Sequence, residues 1–178
     1  MNGPTIGAAF GCAWGIAGAA AMPSAWRAWA IGSSIAISIG LFVALGLRPK
    51  HPALARFRSR IYGISVVLEV AAIFGSAWLL TQFGAQHSIM PAIGFIVGLH
   101  FLGLWKATDG RVFLWTALAM CLVCGIAAFL PSATTNGNLD LGHAVTGLGS
   151  ALVLWVASAS SLVSPDGRNS SDRSKTVK

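Results

Sequence analysis

Charge is what this chain has least of. Only 10% of its 178 residues are Asp, Glu, Lys or Arg, where a soluble domain carries about a quarter. So few charges cannot cover a water-facing surface, and the deficit excludes an ordinary soluble domain. Acid is scarcer than base, with five Asp and Glu against twelve Lys and Arg. No carboxylates are paired as in acid–base enzymes, no nucleophile triad is present, and the glycines lie inside apolar runs rather than in a phosphate-cradling loop. Cysteine is scarce too. Cys12, Cys121 and Cys124 are an odd number, all within apolar runs, which argues against a disulfide framework. Cys121-Leu122-Val123-Cys124 has the spacing of a redox pair but sits mid-segment, away from the helix N-terminus that stabilises a thiolate. It has no neighbouring ligands for a metal. The sequence therefore leads us to expect no metal and no cofactor.

What is abundant is apolar length: 55% of residues are hydrophobic and the mean hydropathy is +0.72. Apolar segments run over 5–22, 25–47, 61–83, 89–105, 112–130 and 141–163, each close to the ~20 residues that cross a hydrocarbon core. All seven prolines (Pro4, Pro23, Pro49, Pro52, Pro91, Pro131, Pro165) fall at segment ends or between segments, where helices tolerate them. The fold class expected is all-α, a polytopic transmembrane bundle of six spans over 1–163. The tail, 164–178, is rich in Ser, Asp, Arg and Lys and reads as disordered and basic. No stretch outside the spans is long enough to bury a core of its own. Residues 1–21 resemble a cleavable leader only in Ala19-Ala20-Ala21. Met1-Asn2-Gly3-Pro4-Thr5 lack its positive charge, so the segment is read as a retained span.

The basic residues give the expected orientation. Arg48, Lys50, Arg56, Arg58 and Arg60 lie between segments two and three, Lys106 and Arg111 between four and five, and Arg168, Arg173, Lys175 and Lys178 in the tail. Six spans place these eleven on one side and Arg27 alone on the other, so both termini are expected in the cytoplasm. Anionic lipid headgroups are the natural partners of those loops. No basic module exists to bind nucleic acid, despite the net charge of +7. Trp26, Trp29 and Trp78 fall near outer ends and Trp105 and Trp115 near inner ends, as an interfacial belt does; Trp14 and Trp155 lie deeper. The halves 1–83 and 89–163 show no clear inverted repeat of the kind many transporters carry.

Glu69 is the one acidic residue within a segment. A carboxylate there costs on the order of 3 kcal/mol on insertion scales, so it is expected to face the bundle interior with a partner. Tyr62, Ser65, Ala72 and Ser76 share its face at helical spacing. Nine residues separate it from Arg60, about 13 Å of helix, and six residues, about 9 Å, separate His100 from Lys106. His100 thus lies within a turn of Glu69 in depth and is its natural partner. The polar intramembrane site expected is Glu69, His100, Ser65 and Ser76. It is read either as a proton or cation site or as a structural carboxyl that fixes helix packing. Gly7, Gly11 and Gly15, and again Gly94 and Gly98, repeat every four residues and are expected to be packing faces, open to neighbouring helices, a second copy or a membrane partner. Gly98 and His100 point in roughly opposite directions, so helix four meets one neighbour with glycine and another with histidine. His143 opens segment six on a stripe with Thr146, Gly147 and Ser150. It lies near the face opposite His100, which excludes a haem bridging the two. His51 and His87 lie between segments with no cluster around them.

Three stretches, Glu69-Val70-Ala71-Ala72-Ile73-Phe74-Gly75, Val97-Gly98-Leu99-His100-Phe101-Leu102 and Gly147-Leu148-Gly149-Ser150-Ala151-Leu152-Val153-Leu154-Trp155, together resemble an uncharacterised family of small six-helix bacterial integral membrane proteins. The resemblance covers about 55–163, and Gly-Leu-His-Phe-Leu is its most specific part. It implies residence in the bacterial inner (plasma) membrane, singles out Glu69 and His100, and brings no activity. Gly103 stands where that family tends to have proline. The function expected is a transporter, channel or proton-coupled permease for a small solute. The alternatives are a structural or accessory membrane subunit, or an intramembrane enzyme or cofactor binder.

Overall fold

A computed structural model describes residues 3–47, 59–130 and 139–163. The cationic cluster at Arg48, Lys50, Arg56 and Arg58, the stretch 131–138 and the tail from 164 lie outside the described residues. Within them the chain is helical with no strand: α1 (Gly3–Ala20), α2 (Ser24–Gly46), α3 (Ser59–Gln82), α4 (Ile89–Thr108), α5 (Arg111–Ala127) and α6 (Leu141–Val163), with one 3-10 turn, Gln86–Ser88, before α4. Four of these, α2, α3, α4 with its preceding turn, and α6, are long and apolar enough to cross a membrane. Of the other two, α1 is 18 residues and rich in glycine, and α5 is 17 residues.

Local chemistry sets the helix ends. Pro4 and Pro91 sit in first turns, where no intrahelical N–H is lost, and Pro23 is the N-cap of α2. After α4, Asp109 adopts the left-handed conformation (φ 56°), and its N–H closes on the carbonyl of Trp105 at 2.7 Å. That reversal lets α4 run three residues beyond Trp105, and Gly110 then caps α5. Gly84, at φ 68°, performs the same reversal after α3. Asp140 precedes α6, and its Oδ1 accepts the N–H of His143 at 3.0 Å, an N-cap bond.

The pairs α1–α6, α4–α5 and α5–α6 run antiparallel, as their cross-contacts show. Gly7 lies against Ser158 while Gly18 lies against Gly147 and Leu148; Gly94 faces Cys124 while Gly98 faces Cys121; Val123 meets Gly149. The N–H of Asp140 bonds the carbonyl of Ala21 at 3.2 Å, tying the start of α6 to the end of α1. The core lies along α6, which packs on α1, α5, α4 and α2. Trp14, Met120, Ala151 and Leu154 are its buried centre, with Met90, Ile93, Val97, Phe101, Val153 and Trp155 packed around them. Buried hydroxyls are satisfied locally: Ser34 on Ala30, Thr116 on Val112 and Ser158 on Leu154, each donating to the carbonyl one turn back. Trp155 Nε1 donates to Ser38 Oγ at 3.0 Å, joining α6 to α2. Thr146 Oγ1 is buried with no hydrogen-bond partner among the described residues.

α3 stands apart from this core. It packs on α4 and on the short turn Gln86–Ser88, and no residue of it is fully buried. α2 and α3, though consecutive, do not pack on each other. Trp26, Trp29, Trp78 and Trp115 are exposed, Trp105 and Trp155 half-buried, and Trp14 buried.

Candidate functional site between α3 and α4

Glu69 and His100 meet across the seam of α3 and α4. Glu69 Oε2 lies 3.2 Å from His100 Nδ1, with 19% and 11% of their side chains exposed respectively. Ser65, one turn before Glu69, completes the group. Its Oγ is 3.1 Å from the same Nδ1 and 3.5 Å from the carbonyl oxygen of His100. Aromatic rings frame the imidazole: Tyr62 and Phe101 each stand edge-on at 6.2 Å, and Phe101 stacks on Phe113 of α5 at 6.4 Å.

The seam is held close by Gly103. A Cβ there would run into the Cβ and Oγ of Ser65, so the absence of a side chain on α4 admits Ser65 of α3. One turn earlier, α4 presents Gly98 on its other face, where a Cβ would stand 2.8 Å from Cys121 Sγ. α4 therefore meets α5 with Gly94 and Gly98, and α3 with His100 and Gly103.

Chemically the group can arrange a proton in more than one way. With a proton on Nδ1, the imidazole donates to Glu69 and the Ser65 hydroxyl turns to the His100 carbonyl. With Nδ1 bare, it accepts from a protonated Glu69 or from Ser65. Ser65 can follow either state without a change in backbone.

The other residues singled out in the sequence lie elsewhere. Ser76, two turns along α3 from Glu69, donates to the carbonyl of Ile73 at 3.1 Å and is not brought to the pair. Ala72 is exposed. Gly7 and Gly11 lie against Ser158 and Trp155 of α6, and Gly15 against Ser34 of α2. Gly94 lies against Cys124, whose Sγ is 3.6 Å from Ser150 Oγ. No group of three or more His, Cys, Asp or Glu side chains converges among the described residues.

Sequence reasoning missed a second acid–histidine contact. Asp140 Oδ2 lies 2.6 Å from His143 Nδ1 at the start of α6, off the line of a ring hydrogen bond. Its signal was Asp140 three residues before His143, the spacing of an N-cap. Compared with protein-family models, curated proteins and solved structures, the chain matches none.

Proposed function

We propose that this chain is a six-span inner-membrane protein with both termini in the cytoplasm, and that the Glu69–His100 pair is a proton site driving a proton-coupled transporter for a small solute. The observation that carries the reading is the 3.2 Å contact between the one acidic residue of α3 and His100 of α4. It lies on a helix that, among the described residues, packs on α4 and one short turn alone. A protonation change at that seam alters the interaction holding α3 to the bundle, and α3 is the helix with least else to hold it. Kinship with the uncharacterised bacterial family belongs to the same proposal.

A second reading has its own support. Gly103 and Ser65 interlock tightly, as they would if the pair served only to fasten α3. Infrared titration of the purified protein separates the two. A proton site shows a carboxyl C=O band that comes and goes with pH, is absent in Glu69→Gln, and shifts in His100→Asn. A band that does not respond to pH overturns the proton reading. A Glu69→Gln protein that fails to accumulate while Glu69→Asp accumulates favours the fastening role.

A further inference from the structure

The seam that holds Glu69 is flanked on one side by exposed residues of both helices, and on the other by Phe101 of α4 and by Val70 of α3, itself 48% exposed. In two antiparallel helices that face each other, the residues preceding the facing pair fall on the same side of the seam. Here these are Leu68 and Leu99, and both are exposed, at 63% and 46%. On the opposite side, Phe101 packs onto the core centre and stacks on Phe113. Among the described residues no third helix packs on α3, which meets α4 and the short turn only. The exposed fraction of Glu69 and His100 therefore faces sideways, between two leucines, at the depth of the acyl chains if the helices cross a bilayer.

What reaches a carboxylate through such a mouth must dissolve in hydrocarbon. A hydrated small cation does not, because its dehydration is too costly. A lipophilic cation with delocalised charge does, and a carboxylate in low dielectric is its natural counter-charge. Tyr62, edge-on to His100 and itself exposed, adds an aromatic ring for such a cation.

We infer that the α3–α4 seam is a lateral binding site for aromatic lipophilic cations, which enter from the bilayer between Leu68 and Leu99 and compete with one proton at Glu69–His100. This rests on the proton reading of the pair and names the class of solute. The balance is simple. At rest the pair holds one shared proton and is neutral. With the cation bound, Glu69 is a carboxylate, His100 is neutral, and one proton has left to water. Among the described residues, the other titratable and charged groups of these helices and of the elements packed on them are Arg60 and Tyr62 on α3, Lys106 and Asp109 at the end of α4, His87 on the short turn, Arg111, Cys121 and Cys124 on α5, and Asp140 and His143 at the start of α6. Of these only Tyr62 reaches the pair.

The test uses the full-length protein in lipid nanodiscs, radiolabelled tetraphenylphosphonium as the probe, and a pH-sensitive dye in weak buffer. The inference expects saturable binding that strengthens as pH rises and releases one proton per cation. Glu69→Gln should weaken it by more than about tenfold, the loss typical when one partner of a desolvated ion pair is removed. Tetraphenylborate, alike in size and opposite in charge, should release no proton, and Leu99→Trp should weaken phosphonium binding by narrowing the mouth. Binding that survives Glu69→Gln undiminished, or that releases no proton, overturns the inference. If the infrared titration nonetheless finds an exchangeable proton on Glu69, the proton site stands and only the lateral cation falls. Should Glu69→Gln fail to fold, proton release by the unmutated protein decides between the two outcomes.

Discussion

Substituting Gly18 by alanine tests the packing of α1 on α6 at the point where backbone meets backbone. A Cβ on Gly18 would stand 2.6 Å from the amide nitrogen of Leu148 and 2.9 Å from the Cα of Gly147, whereas ordinary contact begins at 3.4 Å. The helices must part by about 0.8 Å, the difference between 3.4 and 2.6 Å. No side-chain rotation can absorb this, because the obstructing atoms are main chain. The same displacement loosens Gly7 against Ser158 and Gly11 against the Trp155 ring, which share the interface. Overpacking of this kind costs about 1–3 kcal/mol. Gly18→Ala should therefore unfold at lower denaturant by that amount, read by tryptophan fluorescence in mixed micelles, since Trp14 and Trp155 lie in the affected layer. Gly32→Ala is the control. Nothing lies within 4 Å of a Cβ there, and its effect should stay within about 0.5 kcal/mol. If the two substitutions cost the same, or if Gly18→Ala costs nothing, the close approach of α1 and α6 is not what holds them.

Trp155→Phe removes the indole N–H that reaches Ser38 Oγ at 3.0 Å. It should cost about 0.6 kcal/mol, the average for a hydrogen bond between membrane helices, and Ser38→Ala measured by the same unfolding assay should not add to it. Asp140→Ala removes the cap on the His143 N–H and should cost about 1 kcal/mol, with amide exchange quickening in the first turn of α6 and nowhere in α3. A double-mutant cycle on Glu69→Gln and His100→Asn should give a coupling of about 0.5–3 kcal/mol; none would separate the pair energetically despite its 3.2 Å contact. Reporter fusions between α5 and α6 should score as outside the cell, and fusions between α2 and α3 as inside.

What could be read from sequence was what depends on one helix at a time. A run of apolar residues near bilayer length, bounded by prolines, needs no knowledge of neighbours, and the six helices begin and end within a few residues of the runs. The larger differences come from turns. Asp109 in the left-handed conformation carries α4 to Thr108, and an Asp before a Gly gives little warning of which residue will reverse the chain. Depth was also readable, because Arg60 and Lys106 mark one level and the rise per residue does the rest. That arithmetic set Glu69 and His100 side by side without saying that α3 and α4 are neighbours. Partner choice was not readable. The spacing of Gly7, Gly11 and Gly15 announces a close approach, but two of them meet α6 and the third meets α2. Gly18, whose backbone contact is tighter in kind, breaks the four-residue repeat. Ser76 shared the stripe of Glu69 on the helical wheel, but α3 satisfied it through Ile73.

The location of the acid is the part of the design that the single-helix view misses. The interior of the bundle along α6 is filled by apolar side chains around Trp14, Met120 and Leu154 and by close glycine contacts, and its buried hydroxyls mostly bond their own helices. A carboxylate placed there would have met neither water nor a flexible partner. Glu69 instead lies on the helix with the fewest neighbours among the described residues, in the face that packs on α4. If the pair holds a proton as proposed, that proton acts on the helix with the fewest neighbours among the described residues. The proposed sensitivity to protonation and the proposed lateral access therefore share a cause. Both follow from α3 having only α4 and one short turn as neighbours among the described residues.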